Sequence, residues 1–206
     1  MTDELIFFTN PMSRGRIVRW MLEETGCAYR TEILAFGPDM KAPGYLAVNP
    51  MGKVPAILHK GKIVTEGAAV CAYLADAFPE AGLAPPPHDR AAYYRWMFFA
   101  AGPVEAALSN KAFGFEVPAD RQRAIGYGSI ENVVDTLDYA VTQSEYIAGD
   151  RFSAADIYVG SQIGWGMMFG TLEKRPAFEA YWQRISTRPA ALRAREIDDA
   201  LAPPKA

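Results

Sequence analysis

Residues 49–73 constrain the fold more than any other stretch. Two short apolar runs, Ala56–Leu58 and Lys62–Val64, flank His59-Lys60-Gly61. A glycine between two strand-length runs supplies the positive φ that a tight turn requires, so the segment reads as a β-hairpin. Pro55 follows Val54 at the mouth of the first strand. Proline has no N–H to give to a ladder, so it suits the first residue of a strand and not its middle. Val54-Pro55 is the kind of bond at which a cis peptide costs little, and a cis bond there would turn the Val54 N–H and C=O out of the sheet, free for a ligand. After the hairpin come Thr65-Glu66-Gly67 and then a helical spacing of Ala69, Val70, Tyr73 and Leu74. Glu66 and Gly67 therefore stand at a helix N-terminus, where unpaired N–H groups and the helix dipole favour anions.

The preceding residues supply the rest of a sheet. Glu4–Thr9 is an apolar run of strand length, and Asn10-Pro11-Met12-Ser13 breaks it. Ile17, Trp20, Met21 and Glu24 keep helical spacing up to Gly26, with Ser13 as the expected N-cap. Tyr29–Leu34 alternates as a second strand. A strand–helix–strand unit of this length implies a parallel pair with a right-handed crossover. Gly37–Ala42 reads as loop, and Gly44-Tyr45-Leu46 as a helical turn. With a helix over Glu66–Ala77 the order is βαβ–ββα, the thioredoxin arrangement of a small mixed sheet with helices on both faces.

Phe78–His88 contains four prolines and marks a boundary. Beyond it the pattern is helical: Asp89–Leu108, Arg121–Val141, Ser153–Met168 and Pro176–Ser186. The expected organisation is an α/β thioredoxin-like domain over 1–78, a Pro-rich linker over 79–88 and an all-α helical-bundle domain over 89–206. Ser153 and Asp156 stand in capping-box relation, with Asp in the role usually taken by Glu. They open a run that is apolar on all sides and so should be buried. Both read as folding residues.

Composition narrows the function classes. The 206 residues carry a formal net charge of −3 and 22% charged side chains, without the basic bias of a nucleic-acid binder. Cys27 and Cys71 make neither a disulfide framework nor a metal spacing, and His59 and His88 fall in turn-like contexts. No metal is expected. The N-terminus lacks the pattern of a signal peptide, and no apolar run reaches membrane-spanning length, so the expected home is the cytoplasm.

Asn49-Pro50-Met51-Gly52-Lys53-Val54-Pro55-Ala56-Ile57-Leu58, followed by Thr65–Leu74, resembles the glutathione-binding half of the cytosolic glutathione S-transferases. That family has Asn-Pro-x-Gly-x-Val-Pro-x-Leu, then Glu-Ser and a helix ending in Tyr-Leu. Gly67 stands where the family usually has serine. The Ser/Thr-x-x-Asp box opening a buried helix is a second point of similarity, so the resemblance spans nearly the whole chain.

The resemblance implies a reaction in which glutathione attacks a small hydrophobic electrophile as its thiolate, with glutathione as co-substrate, no metal, and a homodimer as the assembly. Val54, ahead of Pro55, would pair with the cysteinyl part of glutathione as an added strand does. Glu66 would accept from the γ-glutamyl ammonium, and the Gly67 N–H would donate to its carboxylate. The missing serine hydroxyl is expected to weaken binding unless the Ala68 N–H, Arg14 or a water compensates. Lys41 and Lys53 are candidates for the glycyl carboxylate. The thiolate donor lies after the first strand in this family, and residues 9–16 contain neither Tyr nor Cys. Ser13 is the favoured donor, supported by neighbouring N–H groups and Arg14 or Arg16. If Ser13 is only a cap, Asn10 or Thr9 donates. Arg16 and Arg19 have a structural alternative, pairing with Glu23 or Glu24. The electrophile is expected between the domains, against Tyr93, Trp96, Met97 and Phe99, with Phe113, Phe115 and residues 165–169, Trp165 first among them. Two other functions fit the same scaffold: a glutathione-dependent reductase of disulfides or peroxides, and a non-catalytic module binding apolar ligands or a protein.

Overall fold

The computed structural model describes residues 4–203. In chain order the elements are β1 (Leu5–Thr9), α1 (Gly15–Thr25), β2 (Arg30–Ile33), α2 (Pro38–Lys41), α3 (Pro43–Leu46), β3 (Ala56–His59), β4 (Lys62–Thr65), α4 (Gly67–Ala77), α5 (Ala91–Phe99), α6 (Glu105–Ala112), α7 (Ile130–Thr142), α8 (Ala154–Phe169), α9 (Pro176–Ser186) and α10 (Pro189–Leu201). The chain divides into two compact units, one running to Leu83 and rejoined by the segment from Arg188 on, the other Ala84–Thr187.

The first unit holds one sheet in the order β2-β1-β3-β4. β1 pairs with β2 in parallel, while β1–β3 and β3–β4 are antiparallel. Alternation along β1 decides what covers each face. Leu5, Phe7 and Thr9 are buried, and Phe7 lies under the Arg19 guanidinium of α1. On the opposite face Phe8 meets the Tyr45 ring, and Phe8 and Val54 both pack against the buried cluster of Met40, Tyr45 and Ala56. The expected loop over Gly37–Ala42 instead contains α2, with Pro38 at the first position, where its fixed φ suits a helix start.

α1 ends as expected, at Gly26 with φ 66°. Its start differs from expectation. Arg14 occupies the cap, with no side-chain cap bond, while the Ser13 hydroxyl, one residue earlier, donates to the Asn10 carbonyl and accepts the Gly15 N–H at the helix start.

The helix α10 lies against α1. Arg19 meets Asp198 at 3.2 Å with both side chains almost wholly buried, at 2% and 1% exposure. Arg19 also donates to Tyr29 and Thr31. Arg188 forks onto both oxygens of Glu24, and Arg193 reaches Glu23. Arg16 and Arg19 are thus paired structurally, but with Asp199 and Asp198 of α10 and not with the expected Glu23 and Glu24. By its packing α10 goes with the sheet, whereas the sequence reading put 89–206 in one helical domain.

The second unit is helical. The segment expected as one helix over Asp89–Leu108 is broken by a π turn at Ala100–Val104 that accommodates Pro103, as a missing N–H and a ring clash require. The helix expected from Arg121 begins only at Ile130, capped by the Ser129 hydroxyl on the Asn132 N–H. α8 is buried around most of its circumference. Ser153 and Asp156 form its capping box, and the Asp156 carboxylate also accepts from the Ile147 N–H at 2.7 Å and the Tyr181 hydroxyl at 2.8 Å. Burial pushes the Asp156 carboxyl above its ordinary range, against those hydrogen bonds.

Candidate functional site

Strand register brings the predicted residues to one edge of the sheet. Thr9 ends β1 beside Ile33 at the end of β2, Phe8 faces Ala56 at the start of β3, and Ala56 faces Thr65 at the end of β4. The loops at Asn10–Arg14 and Asn49–Pro55 and the start of α4 therefore share that edge. Lys41 joins them, donating from Nζ to the Met51 carbonyl at 2.8 Å.

The presentation of Val54 is built from behind. Val54-Pro55 is a cis peptide. Among the described residues neither the Val54 N–H nor its C=O has a hydrogen-bond partner. The preceding carbonyl, that of Lys53, accepts both the Tyr45 hydroxyl at 2.6 Å and the Asn49 amide at 2.8 Å. Asn49 also receives the Met51 N–H on its side-chain oxygen and the Gly52 N–H on its carbonyl. Gly52 has φ 58°, and a Cβ there would stand 2.5 Å from the Met40 carbonyl, so the turn requires glycine. Burial holds the Tyr45 hydroxyl up to about 12, keeping it a donor. Tyr45 and Asn49 are positioning residues that sequence reasoning assigned no role. The Asn-Pro pair was the available signal, because asparagine braces such turns through its own side chain.

Beside Pro55, Glu66 caps α4 in an unusual backbone state, φ 65° and ψ 116°, and makes no side-chain cap bond. A non-glycine residue held there costs of order 1–3 kcal/mol and persists where function or packing demands it. Its carbonyl accepts from Val70, which leaves the N–H groups of Gly67 and Ala68 at the open end of the helix. Glu66 is exposed and Gly67 half-buried, so an anion could reach the N–H groups with the carboxylate alongside.

The loop after β1 is internally knitted. Asn10 donates from Nδ2 to the Leu34 carbonyl at 2.8 Å and accepts the Met12 N–H at 2.9 Å. The Ser13 hydroxyl donates to the Asn10 carbonyl at 2.7 Å and accepts the Gly15 N–H at 2.9 Å. Both side chains are half-buried, and Asn10 keeps a second amide hydrogen. Thr9 is fully buried, and a Cβ at Gly15 would strike its hydroxyl, so Thr9 sits where α1 closes on β1. Arg16 is bound to the Pro11 carbonyl and to Asp199. Arg14 is exposed.

Of the residues expected against the electrophile, Tyr93 and Trp96 lie inside the second unit at 1% and 6% exposure, whereas Phe113 is 76% exposed. Trp165 is half-buried. Aromatic rings at helical spacing went to the core in the first two cases, as such rings commonly do. Burial raises both thiols, that of Cys71 to about 12, and a protonated thiol is a poor nucleophile. Among the described residues no group of three or more His, Cys, Asp or Glu could hold a metal ion, and no helix is long and apolar enough to cross a membrane.

Comparison with known proteins gives this edge its context. The chain is 30% identical over 161 residues to glutathione S-transferase GstA of Escherichia coli O157:H7, covering 76% of each chain. The chain belongs to the glutathione S-transferase family. Family models agree on both halves: the glutathione S-transferase N-terminal domain matches residues 12–77 and the C-terminal domain residues 108–189. Glutathione S-transferase A of Pleuronectes platessa is 29% identical, covering 82% of this family member and 81% of its own chain. Among solved structures, a sphingomonad glutathione S-transferase complexed with glutathione is 29% identical, with a TM-score of 0.76 over 96% of this chain and all of that one. The sheet edge and α4 start described above lie within the span of the N-terminal family model, apart from the end of β1, Asn10 and Pro11.

Proposed function

We propose that this family member catalyses attack of the glutathione thiolate on a small hydrophobic electrophile, as a cytoplasmic homodimer. The observation that carries the reading is the convergence, at one sheet edge, of the unpaired Val54 backbone, the open α4 N-terminus with Glu66, and the Asn10–Ser13 loop. The Val54 N–H and C=O take the cysteinyl backbone as a strand would. The γ-glutamyl carboxylate binds the Gly67 and Ala68 N–H groups and its ammonium binds Glu66. Lys41, already at the Met51 carbonyl, and Lys53 take the glycyl carboxylate.

The sulfur then faces the loop after β1. The Ser13 hydroxyl must leave the Asn10 carbonyl to donate to a thiolate. That exchange is favourable, because a hydrogen bond to a charged acceptor is worth about 1.5–3 kcal/mol and a neutral one about 0.5–1.5. The second amide hydrogen of Asn10 provides another donor. Phe113 and Trp165 of the second unit are the aromatic contacts we assign to the electrophile. Ile63 on the edge strand β4 and Phe98 on α5 are exposed apolar side chains of the kind that a two-fold partner would cover.

Calorimetry with glutathione, together with thiolate absorbance followed against pH, tests the reading. Binding with a bound thiol that ionises below the free value of about 8.5, and turnover of a chlorodinitrobenzene, are the expected results. Absence of binding at millimolar glutathione would sink it. Sedimentation equilibrium decides the homodimer, and a monomer would remove that part alone.

A further inference from the structure

We propose that Arg16 and Asp199 form a positioning pair for the glutathione thiol, holding the Asn10–Ser13 loop by its Pro11 carbonyl; this rests on the functional reading above. Arg16 donates from Nε to the Pro11 carbonyl and from NH1 to Asp199 Oδ1, the latter at 2.7 Å. Pro11 lies between the two donors assigned to the sulfur. The loop's other side-chain bonds run within it, to its neighbour Thr9, into the start of α1, or to Leu34 just past β2: Asn10 to Leu34, Met12 to Asn10, Thr9 to Asn10, and Ser13 to Asn10 and Gly15. Arg16 instead ties the loop to α10, which lies almost wholly beyond the residues matched by either family model.

The neighbouring pair explains why stability does not account for this one. Arg19 and Asp198 are buried together and join α10 to α1. Asp199 is 58% exposed and Arg16 25%, and an exposed ion pair adds little to stability. What it does supply is geometry. A guanidinium is a rigid plane of five donors, so fixing NH1 on Asp199 sets the direction of Nε toward Pro11. Without the carboxylate, Arg16 regains its rotamers, the Pro11 carbonyl loses its tether, and the Asn10 and Ser13 donors are no longer held against the sulfur.

The test uses the full chain with Arg16→Ala, Arg16→Lys and Asp199→Ala, read by steady-state kinetics, by thiolate absorbance of bound glutathione against pH, and by amide exchange across residues 10–16 without ligand. Arg16→Ala and Asp199→Ala are expected to keep the melting temperature within about 3 °C and KM for glutathione near the wild-type value. Their kcat should fall about five- to tenfold, with the bound thiol pKa moving toward that of a free thiol. Arg16→Lys keeps the charge and loses the fork, so it should fall between. Unchanged kcat and thiol titration in both alanine variants, or loss of the fold in both, would overturn the proposal. A wild-type chain that binds no glutathione defeats the functional reading separately. The exchange data then still decide the tether, since unchanged exchange in both alanine variants would overturn it.

Discussion

The starts of α8 and α4 are built in opposite ways. At α8 the Ser153 N–H and hydroxyl, the Ile147 N–H and the Tyr181 hydroxyl all converge on one buried carboxylate, Asp156. At α4 the cap residue makes no side-chain bond, sits at positive φ, and leaves the first-turn N–H groups open. A buried helix end whose capping box is satisfied from within contributes to stability and gives a ligand no access. An end whose donors are left open gives up that stability and can bind an anion. The start of α1 lies between the two, with a Ser13 hydroxyl that is bonded but half-buried and able to exchange partners.

The comparison breaks most visibly at α8. Asp156→Ala leaves Tyr181, Ile147 and Ser153 without their acceptor, so a loss of about 4 kcal/mol is expected, read from the midpoint of urea unfolding. Glutathione affinity per folded molecule should be unchanged. At α1 the balance reverses: Ser13→Ala should cost about 1 kcal/mol of stability or less but lower kcat/KM roughly a hundredfold, with the bound thiol pKa rising. A Ser13→Ala enzyme with normal kcat/KM would assign the thiolate to Asn10. Closing the α4 start from the ligand's side sharpens the contrast. Gly67→Ser restores the hydroxyl the family usually carries and should tighten glutathione about tenfold, measured by calorimetry. The smallest effect is expected at Glu66. Glu66→Gly relieves the positive φ and should raise stability by about 1 kcal/mol while weakening glutathione binding. Weakening of both would show that Glu66 serves the fold as well.

What the sequence made legible follows the same division. The hairpin, the βαβ unit and the Ser153–Asp156 box could be read because their signals are local: Gly61 in a turn, Pro55 at a strand mouth, a serine three residues before an acid. α10 was missed for a physical reason. Its buried face is Ala190, Ala191, Ala194 and Asp198, small side chains and a charge, so it carries no apolar stripe to be read. Candidate site residues were named from a resemblance, and register brings those of the first unit to one edge. The Arg16 tether acts across the fold, between residues 183 apart, and no local spacing announces it. The positive φ of Glu66 is likewise invisible in its own residue type.

The discontinuity of the first unit has a consequence for how the protein is made. Arg19 and its carboxylate partner are 179 residues apart. At about 5–20 residues per second of synthesis, roughly ten to thirty-five seconds separate their appearance on the ribosome. For most of that interval the sheet, the hairpin and every residue of the proposed glutathione site have already been synthesised, while the guanidinium has Tyr29 and Thr31 but no counter-charge. α10 thus neutralises a cation laid down 179 residues earlier, and the first compact unit is complete only once α10 has joined it.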